Sequence, residues 1–140
     1  MFTTKSWCDF IRNNARNLTR EEYLLCQAEF FFIICEEIKE IFREQYRDYF
    51  SLMKFTIEME NNMLDVEFLR FIILDILSTE EYNLNGIATY TNTHEDVVHE
   101  VVSGLNVNPS ANFLRKIIAL HRSVRRELYE VIMKKIISEQ

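Results

Sequence analysis

The sequence predicts an all-α protein, a helical bundle, on three observations. Turn-forming residues are scarce, with two Gly and one Pro in 140 residues, too few for the many tight turns of an all-β chain. Apolar residues make up 48% of the chain, 11 Phe and 6 Tyr among them, and over most of its length they recur at three- and four-residue spacing. Helix-start residues stand ahead of the main runs, notably Thr19, Asn83 and Ser110, where a side-chain oxygen satisfies a backbone N–H of the first turn. The length suits one compact core. Two regions are expected within it: residues 1–62 as a helical part for dimerisation or partner binding, and residues 63–140 as a helix-turn-helix with an extended C-terminal helix.

Trp7, Phe10 and Ile11 share one side of a short amphipathic helix over residues 5–17. Thr19-Arg20-Glu21-Glu22 matches a capping box and opens a helix expected to run to Phe50. Its first half is crowded with Leu24, Leu25, Phe31, Phe32 and Cys35, and it narrows to a stripe of Ile38, Ile41, Phe42 and Tyr49. Residues 55–68 admit two readings. The pattern FTIEME alternates as a strand does, with Asn61-Asn62 as a turn, while Leu52, Phe55, Met59, Met63 and Val66 fit a helical stripe. A helix, whole or broken near Asn61-Asn62, is preferred because an isolated hairpin is marginal in water. Residues 64–77 then form a strongly apolar central helix ending near Ser78-Thr79.

The stretch NLNGIATYTNTHEDVVHEVVSGLNVNPS, residues 83–110, holds both glycines and the proline. Asn83 caps a short helix burying Ile87 and Ala88, and Asn92 stands where the chain must turn sharply, a residue tolerant of the left-handed conformation. A second helix starts at Thr93 or His94, places Glu95 and Asp96 in its first turn, turns Val98, Val101 and Val102 inward, and ends at Ser103-Gly104. Ser110 after Pro109 caps a long final helix to about residue 137, with Phe113, Ile117, Leu120, Val124, Leu128 and Val131 as its apolar stripe.

These residues resemble the lambda-repressor/Cro-like (XRE-type) helix-turn-helix domains. The likeness covers residues 64–120 and rests on IA-x-x-T-N-x-H-x-x-x-V-x-x-V-x-x-G followed by NPS-x-x-FLRKIIAL. The family lays its second helix in the major groove and binds two half-sites as a dimer. Carried onto this chain, the resemblance implies duplex DNA as partner, a homodimer, and DNA contacts from Asn83, Thr93, His94, Glu95, Asp96, His99, Glu100, Arg115 and Lys116.

Charge runs the other way. Residues 1–110 carry 9 basic and 19 acidic side chains, and residues 111–140 carry 7 and 3. Between residues 80 and 110 there are five acids and no Lys or Arg, where a phosphate-lined groove calls for cations. Arg122, Arg125 and Arg126, on one face of an unbroken helix, could supply such contacts or could pair with the acidic half of the chain.

Enzymatic chemistry finds no support. His94-Glu95-x-x-x-His99 is one residue too long for the zincin spacing, leaving its histidines on different helix sides. No Glu-x-x-His pair, nucleophile elbow or phosphate loop occurs. No catalytic residue, metal or cofactor is therefore expected. Cys8, Cys26 and Cys35 lack C-x-x-C spacing and read as buried thiols of a reducing, cytoplasmic compartment. No signal-peptide pattern opens the chain, and its longest apolar run, residues 30–35, is far too short to span a bilayer. The sequence thus predicts a small helix-turn-helix transcriptional regulator with an acidic reading helix. The alternative is a protein-interaction module, adaptor, antitoxin-like or chaperone-like, on a helix-turn-helix that has lost DNA binding.

Overall fold

The computed structural model describes residues 18–106 and 109–138; the short helix expected over residues 5–17, with Cys8, lies outside them. Among the described residues there are seven α-helices and no strand: α1 (Arg20–Gln45), α2 (Arg47–Leu52), α3 (Ile57–Ser78), α4 (Leu84–Thr91), α5 (Glu95–Val102), α6 (Ala111–Val124) and α7 (Arg126–Ser138). The all-α expectation holds. The chain divides into two compact units, one being Phe42–Arg126 and the other drawn from residues up to Ile41 together with residues from Glu127 onward. Residues 42–62 thus belong with the helix-turn-helix rather than with the N-terminal helix.

Thr19 caps α1, its Oγ1 accepting from Glu22 N at 3.1 Å, while Glu22 returns its carboxylate to the threonine hydroxyl. The run expected to reach Phe50 is interrupted at Tyr46 (φ −101, ψ 15), and α2 follows. α2 ends in a Schellman motif. Lys54 takes the left-handed conformation (φ 56), Lys54 N donates to Ser51 O at 3.2 Å, and Phe55 N donates to Phe50 O at 3.1 Å. The Phe50 and Phe55 rings stack at 5.7 Å across that turn, supplying the apolar contact that usually accompanies the motif.

The ambiguous segment is helical. Thr56 Oγ1 accepts from Met59 N, and α3 continues through Asn61-Asn62 without a break. A hairpin there would have stood alone, whereas the helix buries Leu64, Phe68, Leu69, Phe71, Ile72, Ile73 and Ile76. These residues take up a little over half of the circumference of α3, which packs on α5 and α6, and α4 packs on those same two helices. Phe42 at the end of α1 meets Phe71 edge-on at 5.6 Å, and Tyr46 stacks on Phe71 at 4.6 Å.

The helical run expected over residues 110–137 is divided. Ser110 caps α6 by accepting from Phe113 N at 3.1 Å, but Arg125 leaves helical geometry (φ −125, ψ 49) and α7 begins at the next residue. In the other unit, α7 buries Tyr129, Ile132 and Ile136, α1 buries Cys26, Cys35 and Ile38, and Lys135 Nζ meets Glu37 Oε2 at 2.7 Å. No helix among the described residues is long and apolar enough to cross a membrane.

Candidate interaction face of the helix-turn-helix

The face is built by α4, the turn at Asn92, α5 and the start of α6. Asn83 caps α4, its Oδ1 accepting from Gly86 N at 2.7 Å. A Cβ on Gly86 would stand 3.2 Å from Tyr82 Cδ2 and 3.3 Å from that same Asn83 oxygen, so a hydrogen at this position lets cap and ring close over the first turn. The turn itself is a second Schellman motif. Asn92 is left-handed (φ 52, ψ 46), with Thr93 N donating to Ala88 O at 3.0 Å and Asn92 N to Thr89 O at 3.2 Å. The fully buried Thr91 hydroxyl donates to Ile87 O at 2.8 Å and lies 2.7 Å from the Thr93 hydroxyl.

That contact settles how α5 begins. Thr93 is turned to the interior side of the turn, and the cap is His94, whose Nδ1 accepts from Asp96 N at 3.2 Å. Glu95 and Asp96 occupy the first turn, where the helix dipole favours carboxylates. His99 Nε2 lies 3.5 Å from Glu95 Oε1, an exposed i, i+4 pair. Val98 and Val101 are buried beneath. Gly104 (φ 82) closes α5 in a third Schellman motif, with Leu105 N donating to Glu100 O at 2.9 Å.

Of the nine residues that the resemblance marked, Asn83, His94, Glu95, Asp96, His99 and Glu100 are exposed on α4 and α5, and Arg115 is exposed on α6. Thr93 is half-buried. Lys116 is also half-buried and faces inward, its Nζ donating to Thr91 O at 3.0 Å. There it offsets the negative C-terminal end of α4. Arg125 is committed elsewhere too. Its Nε and Nη2 grip both oxygens of Asp75 on α3 at 3.0 and 3.1 Å, and Nη2 also reaches Ser78 Oγ at 3.2 Å. The break at Arg125 takes Arg126 off the α6 register, so Arg122, Arg125 and Arg126 do not line one face as an unbroken helix would place them.

Asp75 also receives His121, a fully buried histidine whose Nε2 lies 2.7 Å from Oδ2. Burial opposes ionisation of Asp75, but the hydrogen bonds from Arg125 and His121 outweigh it and hold its pKa below the usual 3.8. A carboxylate only accepts, so Nε2 carries the imidazole proton. Burial lowers the His121 pKa below the usual 6.5, against the pull of Asp75, and the ring stays neutral. This triad was missed from sequence. The available signal was His121 falling one turn after Ile117 and Ile118, both buried, since a polar residue on an apolar stripe needs a buried partner.

One more feature went unmarked. Tyr82 and Tyr90 meet edge-on at 6.3 Å beside Asn83, Asn85 and Thr89, forming a neutral, aromatic patch next to the acidic one. Cys35 is buried, and burial pushes its thiol up to about 11, so it is protonated and unreactive at neutral pH. Among the described residues no three His, Cys, Asp or Glu side chains converge to hold a metal ion.

The fold and face thus define an all-α protein with a helix-turn-helix whose exposed charged side chains are acidic apart from Arg115, among neutral polar groups, Tyr90 and Leu105. Comparison with family models, with curated proteins and with solved structures finds no match to the chain.

Proposed function

We propose that this chain is a non-enzymatic, lambda-repressor-like helix-turn-helix module that acts by binding another protein. One observation carries the reading. Of the cations that could have met DNA phosphates, Lys116 is engaged on Thr91 O and Arg125 on Asp75, while Arg115, Arg122 and Arg126 stay exposed on α6 and α7 rather than on α5. The side chains left exposed on α5 are His94, Glu95, Asp96, His99 and Glu100. Duplex DNA carries a negative charge every ~1.7 Å of its axis, and regulators bind it by neutralising phosphates with Lys and Arg. A face bearing Glu95, Asp96 and Glu100 repels that surface, and suits the positive surface of a protein. Leu24, Leu25 and Phe32 of α1 remain more than half exposed, which supports pairing of two copies through helices outside the helix-turn-helix. The buried free thiols Cys26 and Cys35 fit a reducing, cytoplasmic setting.

A DNA-binding transcriptional regulator is the second reading. The Schellman turns at Asn92 and Gly104 favour it, because they bound a short α5 whose first turn carries exposed polar side chains, as a reading helix requires. The deciding experiment titrates the full chain into labelled random duplex DNA at about 50 mM salt, where the sequence-independent electrostatic contribution is strong. No binding is expected. Binding that weakens steeply with added salt would replace the first reading with the second. Replacing Glu95 and Asp96 by Gln probes the same point from the other side: DNA affinity appears only if α5 already fits a groove. Light scattering behind size exclusion checks the dimer, and a monomer at micromolar concentration would remove that part.

A further inference from the structure

Away from the helix-turn-helix face, the end of α1, α2 and the start of α3 enclose an open groove of about 470 Å³, lined by Arg43, Arg47, Ser51, Lys54, Phe55 and Glu60. Three cations face one carboxylate there, on a chain whose formal charge is −6. The groove is a local reversal of sign.

Its cations are set up differently. Arg43 is mostly covered and held in place, Nη1 donating to Glu60 Oε1 at 2.9 Å and Nη2 to the Asn61 side chain. Among the described residues Arg47 pairs only with Glu44, three residues back, and is 68% exposed. Exposed pairs of this kind contribute little, so a more highly charged anion displaces the carboxylate readily. The Lys54 ammonium has no hydrogen bond or ion pair to any described residue. Its backbone is nonetheless fixed at φ 56 by the turn that joins Phe55 N to Phe50 O and stacks the two rings. The left-handed conformation is costly for a residue with a Cβ. Here it roots a free ammonium at the rim of a groove that two guanidiniums also line.

We propose that this groove binds a small phosphomonoester of nucleotide size. Glu60 balances Arg43 and Glu44 answers Arg47, so Lys54 brings one uncompensated positive charge, and Arg47 a second once its exposed pair gives way, to a phosphomonoester of about −1.5 to −2 at neutral pH. The guanidinium fork of Arg47 matches two phosphate oxygens at once, while Lys54 acts as a point charge and the Ser51 hydroxyl is a further donor. Phe55 and Phe50 supply apolar lining for the organic part. The volume falls within the range of about 300–1,000 Å³ usual for small-molecule sites.

The test is calorimetric titration of the full chain at low salt with AMP, adenosine, inorganic phosphate and a short single-stranded DNA lacking terminal phosphate. AMP is expected to bind and adenosine not. Lys54→Gly separates binding from folding, because it removes the ammonium while giving the backbone the residue it favours at φ 56. Its affinity for AMP should fall about tenfold, the loss of one charged contact, with no fall in melting temperature. Arg47→Ala should weaken AMP similarly. Absence of heat with AMP, AMP affinity unchanged in both variants, or binding of the oligonucleotide in preference to AMP would each overturn the assignment.

Discussion

Replacing Asp75 by Asn is the most informative perturbation of the fold, because one carboxylate ties α3 to the end of α6. Asn keeps the shape and one acceptor oxygen but loses the charge. The bond from His121 Nε2 at 2.7 Å becomes neutral–neutral, and the two-pronged grip of Arg125 at 3.0 and 3.1 Å loses one acceptor outright, since an amide NH₂ does not accept. Hydrogen bonds to charged groups contribute about 1.5–3 kcal/mol net. Solvent discounts the arginine share, because the Arg125 side chain is 39% exposed and that of Asp75 22%. A loss of about 2–3 kcal/mol follows. At roughly 2–4 °C per kcal/mol for a chain near this length, the melting temperature by circular dichroism at pH 7.5 should fall by roughly 5–10 °C. A double-mutant cycle with Arg125→Ala isolates the pair from the His121 contact. An Asp75→Asn protein that melts with the parent would refute the claim that this triad fastens α6.

The same triad sets a pH dependence. The His121 pKa is lowered in the fold from its ordinary 6.5, so its contribution is complete above about pH 6.5 and is lost as pH falls through the folded value. That of Asp75, lowered from 3.8, is lost only in stronger acid. Urea midpoints taken from neutral to acid pH should therefore decline in two stages, and a flat profile down to pH 5 would contradict the burial of a neutral His121. Gly104→Ala meets no atom within 4 Å, so its penalty is the φ of 82 alone; about 1 kcal/mol of stability should go, measurable by chemical denaturation. Lys116→Met keeps the aliphatic stem and removes the donor to Thr91 O at 3.0 Å, costing about 1 kcal/mol. In that variant, amide exchange should quicken at the α4–α5 turn before it does in α3.

Much of the fold is written locally. Thr19, Asn83 and Ser110 each cap the helix they precede, and Asn92 is left-handed where the motif needs a sharp turn. These are decisions between a side chain and a backbone three residues away, so they read directly from sequence. What failed to read depends on distant partners. The continuity of the last helix turned on Arg125, whose partner Asp75 is 50 residues earlier. Lys116 is 25 residues from the carbonyl it holds. Periodicity gives the face of a helix but not what a long flexible cation on that face reaches.

That distinction bears on function, because the balance between the two readings rests on where cations end. Counted along the chain, residues 111–140 carry a positive excess next to an acidic helix-turn-helix, and the count alone leaves phosphate contacts open. Followed atom by atom, the excess thins. Lys116 neutralises the C-terminal end of α4, and Arg125 neutralises Asp75, while Arg115, Arg122 and Arg126 stay exposed. An electrostatic surface is made by the charges left over after internal pairing, and here those left on α5 are Glu95, Asp96 and Glu100, with His99 beside Glu95. By the same rule Lys54, with no ion pair among the described residues, marks its groove. Internal pairing thus leaves an acidic face, proposed to meet basic protein, and a basic groove, proposed to hold phosphate, and each can be removed by substitution without disturbing the other.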